Sequence, residues 1–198
     1  RRSAVGRLLG GAPAVFVASA VNNSAIVTDV FAWRNDRFSN ISYSRESDTS
    51  VQTLRNYYVY AEDIDGDGVM ELPSLITMKR VFPEQEGKQK FLIRWFAMDL
   101  EGREMDKFFT FHNYLGGWYM QLASSWAPRV SVEQEGGKYT FYVWDEDYRQ
   151  ALDVFSIYAL TGGSREEDAT VDGRFAFYRA EGVVYAAKLE ANAAEFGI

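Results

Sequence analysis

The residues whose types and spacing point to chemistry lie in one nine-residue stretch, Asp63-Ile64-Asp65-Gly66-Asp67-Gly68-Val69-Met70-Glu71. Three carboxylates alternate, a glycine follows the third, and a fourth carboxylate closes the stretch. Hard cations such as Ca²⁺ take six to eight oxygens in a flexible cage, and an Asp-x-Asp-x-Asp-Gly loop supplies several of them from one turn. The side chains of Asp63, Asp65, Asp67 and Glu71 and the carbonyl of Val69 are the expected metal ligands, with Ca²⁺ as the ion. Gly68 permits the backbone conformation of the sharp turn. The competing reading is a solvated Asp/Gly turn between two strands. Four like charges in nine residues favour a counter-ion over that reading. A cage filled by protein oxygens implies a structural rather than a catalytic ion.

The ending of the loop departs from an EF-hand. The bidentate Glu of an EF-hand stands at the twelfth position, which here is Ser74, whereas Glu71 is ninth. The flanks Tyr57-Tyr58-Val59-Tyr60 and Leu75-Ile76-Thr77-Met78 are aromatic and β-branched, as strands are. A strand–loop–strand cation site is therefore expected, not helix–loop–helix. Asp63 to Glu71, followed by Leu72-Pro73 and a strand, resembles the calcium loop of FG-GAP/VCBS repeats of integrin-type β-propellers. Together with Ile26-Val27-Thr28-Asp29-Val30-Phe31-Ala32-Trp33 it also resembles extracytoplasmic lipoproteins of Gram-positive gut bacteria, which carry degenerate repeats of this kind ahead of a small α+β domain. The resemblance implies a calcium-stabilised, non-enzymatic binding or adhesion module at a cell surface or secreted. Its partner would be a surface protein or a carbohydrate.

The elements that must position this loop are mostly short strands. Apolar or alternating runs at 15–18, 25–33, 54–60, 74–81, 91–98, 107–114, 118–122, 130–133, 139–144, 154–160, 174–179 and 183–189 read as strands separated by Gly, Asn and Asp turns. Ser164 with Glu167 three residues later has the capping-box pattern of a short helix. The expected class is mainly β, with antiparallel sheets: a partial propeller-like β unit over 1–88 and a small antiparallel α+β unit over 89–198. A closed propeller is not expected: closure needs at least about four blades of 40–45 residues, whereas the sequence shows one calcium loop and no comparable internal repeat.

Composition sets further bounds. Hydrophobic residues make up 47% of the 198 and aromatics 16%, so a packed core is expected. The net charge of −7 argues against a nucleic-acid partner. No cysteine is present, so disulfides and thiolate chemistry are excluded. No apolar run reaches transmembrane length. The start, Arg1 to Leu9, resembles a basic amphipathic segment or a residual signal, with an apolar run too short for a complete one; the chain reads as a fragment or a processed form, whose lipid anchor would lie upstream.

The remaining candidates are weaker. His112 is the single histidine, sits in an aromatic strand, and has no nucleophile-elbow motif to serve. Catalytic zinc needs more His, Cys or carboxylate ligands than one His offers. Asp145, Glu146 and Asp147 lack alternation and a following glycine, as a solvated turn does. The tryptophans at 33, 95, 118, 126 and 144 read first as core and cross-strand pairs. As a sugar-stacking platform beside paired carboxylates they would instead suit a glycoside hydrolase or its accessory domain. A purely structural domain of a longer surface protein is the third reading.

Overall fold

Alternation of apolar and polar residues at short spacing makes strand the dominant element, 54% against 8% helical. A computed structural model describes residues 2–22, 24–84, 89–125, 127–145 and 149–197. The chain divides into two compact units, Arg1–Ile76 with Phe91–Ala123, and Thr77–Lys90 with Ser124–Ile198. The protein is mainly β, with three antiparallel sheets, none closed into a barrel among the described residues.

The first unit holds two four-stranded sheets. Strands β1 (Arg2–Arg7), β2 (Pro13–Asn22), β3 (Ala25–Arg34) and β4 (Arg37–Asn40) form one in simple meander order. Strands β5 (Leu72–Thr77), β6 (Phe91–Met98), β7 (Glu104–Asn113) and β8 (Trp118–Leu122) form the other. The division therefore differs from a boundary at 88/89. The reason is sheet pairing: β5 shares a sheet with β6–β8, which carries Phe91–Ala123 into the first unit. Among the described residues, two clusters of buried side chains lie in the unit's core. One gathers Leu8, Phe16, Val30, Ala32, Ile41, Met70, Leu72, Phe96 and Met98. The other joins Val59, Ile93, Trp95 and Phe108, with Tyr57, Ile64 and Leu75 packed against it.

The second unit is built on β9 (Val130–Glu135), β10 (Lys138–Trp144), β11 (Ala151–Thr161), β12 (Phe175–Ala180) and β13 (Val183–Leu189), in the order β12-β13-β11-β10-β9. Phe141 and Phe155 stack across β10 and β11 at 4.3 Å between centroids. The described helix of this unit is a single turn, α1 (Arg165–Asp168), where a short helix is expected. Its cap differs from the capping box: Ser164 Oγ donates to the Asp168 carboxylate at 2.7 Å and makes no bond to a backbone N–H.

Two local expectations give way. The start of the chain is an edge strand, not an amphipathic segment, because Arg2–Arg7 completes a ladder with β2 from Arg2↔Ala18 to Arg7↔Pro13. Residues 57–60, expected as a strand, form none. A side chain takes the place of a neighbouring strand there: the Arg55 guanidinium donates to the Val59 carbonyl at 2.6 Å. Among the described residues no helix is long and apolar enough to cross a membrane.

Candidate metal centre

The acidic stretch is a loop pinched shut at its base. Glu62 and Glu71 form an antiparallel bridge, Glu62 N–H to Glu71 O at 3.2 Å and Glu71 N–H to Glu62 O at 2.9 Å. Two apolar side chains pin it from either end. Ile64 packs against the Trp95 cluster, and Met70 enters the cluster around Leu72 and Phe96. The Met70 N–H also donates to the Arg7 carbonyl at 2.9 Å, which ties the loop to β1.

Gly6 on β1 makes room for Met70. A Cβ at position 6 would fall on Met70 Cγ, in the stem of that side chain and not at its mobile end. Overpacking of this kind costs about 1–3 kcal/mol. Gly6→Ala is therefore expected to lose stability by about that amount in urea unfolding, and Met70→Ala in the same chain should recover part of it.

Inside the loop the backbone arranges the carboxylates. The Gly68 N–H donates to Asp63 Oδ2 at 3.0 Å, the Asp67 N–H to Asp65 Oδ1 at 3.2 Å, and the Val69 N–H to Asp67 Oδ1 at 2.8 Å. These turns need left-handed backbone at Gly66 (φ 76°) and Gly68 (φ 86°), which glycine adopts without steric cost.

Glu71 is the unusual member. Its side chain is 0% exposed. Oε2 accepts the Ile64 N–H at 3.2 Å, while Oε1 is buried without a hydrogen bond. Burial pushes its carboxyl up to about 7; the Ile64 N–H opposes this, the Asp65 and Asp67 charges add to it, and Lys107 relieves it. Asp63, Asp65 and Glu71 each bring an oxygen within 4.8 Å of the others. Ca²⁺ binds oxygen at about 2.3–2.6 Å, so this spacing is close to what one shared ion requires. This acidic triad could hold a metal ion.

Of the five expected ligands, the structure brings together Asp63, Asp65 and Glu71. Asp67 turns instead to Lys107, whose ammonium it holds in a short ion pair. That contact, followed by the Val69 N–H, lowers the Asp67 carboxyl. Val69 lies in the same loop, where its N–H supports Asp67. Lys107 comes from β7, far along the chain, and also lies 3.4 Å from Asp65 Oδ2 and 3.9 Å from Glu71 Oε1.

The other candidates fall elsewhere. His112 is half-buried on β7, within 2.9 Å of Thr110 Oγ1 through Nε2 and stacked on Tyr119 at 5.1 Å. Burial lowers it to about 4, so its ring is neutral near pH 7. Asp145 accepts the Arg149 N–H at 2.6 Å; Glu146 and Asp147 lie outside the described residues, as does Trp126. Trp95 and Trp144 are core residues, whereas Trp33 is 63% exposed. Comparison of the chain with protein-family models, with curated proteins and with solved structures finds no match.

Proposed function

We propose that this chain is a calcium-stabilised, non-enzymatic binding or adhesion module of an extracytoplasmic protein, at a cell surface or secreted. The observation that carries the cation reading is Glu71, whose Oε1 is a fully buried carboxylate oxygen without a hydrogen bond and whose carboxylate groups with those of Asp63 and Asp65. A buried, unsatisfied acidic oxygen is costly, and a divalent ion would satisfy it. Support for the FG-GAP/VCBS likeness comes from the loop opening directly into β5, and from two four-stranded meanders in the same unit. Binding rather than catalysis suits the neutral, stacked His112. The exposed aromatics Trp33, Phe38, Tyr58 and Tyr119 offer surface on which a protein or sugar ligand can pack.

The test is a calcium titration of chelator-stripped protein followed by thermal unfolding. An ion that binds only the folded state stabilises it by about 2.7 kcal/mol at a hundred times Kd, so Tm should rise by several degrees and Asp65→Ala should lose most of that rise. An unchanged Tm on adding calcium would reduce the loop to an ordinary turn.

A further inference from the structure

The acidic loop already contains a cation, the ammonium of Lys107. Its position is built into the sheet. Along β6 and β7, Trp95 pairs with Phe108 and Phe96 with Asp106, so Lys107 is the extra residue of a β-bulge. Bulges re-aim a side chain that regular pleating would send elsewhere. The redirected Lys107 is only 15% exposed and reaches three carboxylates at once, Asp65, Asp67 and Glu71. The ammonium leaves Glu71 Oε1 without a hydrogen bond, at 3.9 Å. It therefore balances charge without satisfying the buried oxygen.

We propose that Lys107 is a tethered counter-ion that competes with the bound cation: it holds the metal-free loop together, is displaced when a divalent ion enters, and thereby sets the affinity of the site. The inference rests on the cation reading of the loop. Two of the carboxylates the ammonium neutralises, Asp65 and Glu71, are ones an ion must share, and two positive charges on the same oxygens repel. The flexible four-carbon stem of lysine lets the head swing out while the strand stays in place. Displacement also frees Asp67, which would then become available as a fourth carboxylate beside Asp63, Asp65 and Glu71. The affinity is thus moderated by a group outside the loop, and the metal-free protein is spared four unbalanced acids.

The test compares calcium binding by the wild type and Lys107→Met, which keeps the apolar stem and removes the charge, using isothermal titration calorimetry and thermal unfolding with and without chelator. Lys107→Met is expected to bind calcium about tenfold or more tightly, given the loss of one charge beside the ion. It should also melt lower than wild type in chelator and gain more in Tm when calcium is added. Should it fail to fold in chelator, Lys107→Gln, which can still hydrogen-bond Asp67, takes its place. Calcium binding equal to wild type or weaker would overturn the competition while leaving the cation site standing. Calcium binding by neither protein would remove the cation site and the competition with it.

Discussion

In metal-free buffer, the stability of the protein relative to its Glu71→Gln variant falls by roughly 3 kcal/mol as the pH is raised from about 4.5 to about 8. The effect comes from one carboxyl. In the unfolded chain Glu71 titrates near its ordinary 4.5; in the folded protein burial lifts it to about 7. Between those two values the folded state holds a proton that the unfolded state has released. Stability therefore declines with rising pH across that window and levels off above it. The glutamine variant has no such proton, so it lacks this decline. His112 acts in the opposite sense. Burial lowers its folded value to about 4, so stability is lost as the pH drops below 6.5 towards 4. This loss is common to both proteins and cancels in the comparison. Saturating calcium should abolish the decline, because the ion binds the charged carboxylate and pulls its titration downwards. Calcium binding near pH 6 should accordingly release a proton and weaken on further acidification. Urea unfolding across the pH range, in chelator and in calcium, measures both effects. Parallel curves for wild type and Glu71→Gln would mean that Glu71 is not held as described.

The same residue marks where the sequence is legible and where it is not. Asp63, Asp65 and Asp67 announce the loop because their spacing is local, and Gly66 and Gly68 supply the left-handed backbone that the turn needs. Burial of Glu71 is not local. It depends on Ile64 and Met70 being drawn into two separate core clusters, and spacing along the chain carries no sign of that. Lys107 is less visible still. In sequence it is one lysine ahead of an aromatic run, and only the bulge opposite Trp95 and Phe96 turns it to the acids. Asp67 was consequently expected at an ion and is found on Lys107. The strands β2, β3, β6, β7, β8, β9, β10, β11, β12 and β13 follow from apolar runs and turn residues. The tyrosine-rich segment 57–60 has the propensity of a strand without its hydrogen bonds. Strand propensity describes side chains that fit a pleated surface, and here a buried arginine claims the backbone first.

That arginine is the second site at which a large loss is expected. Arg55→Met should cost about 2–4 kcal/mol in urea unfolding and should weaken the loop that follows. Arg55 is 2% exposed, and its own backbone is bridged to Ile26 by two hydrogen bonds of 2.7 and 2.9 Å. Nη1 donates to the Thr53 carbonyl at 2.7 Å and Nε to the Val59 carbonyl at 2.6 Å, so one planar head fastens both ends of the segment leading into the acidic loop. Methionine removes both donors and leaves two buried acceptors unsatisfied, at about 1–3 kcal/mol each. Part of that is offset, because a charge no longer has to be buried; burial already lowers the guanidinium to about 10. Arg55→Lys should recover little, since a single ammonium cannot reproduce the fork that spans two carbonyls. Val59 and Ile64 share the Trp95 cluster, so release of the Val59 carbonyl should reach the loop. Amide exchange in 55–64 should quicken in the methionine variant more than in β10 or β11. A variant within about 0.5 kcal/mol of wild type, the ordinary range of surface substitutions, would mean that water or a relaxed backbone satisfies those carbonyls, and that the lead-in is held by Val59 packing alone.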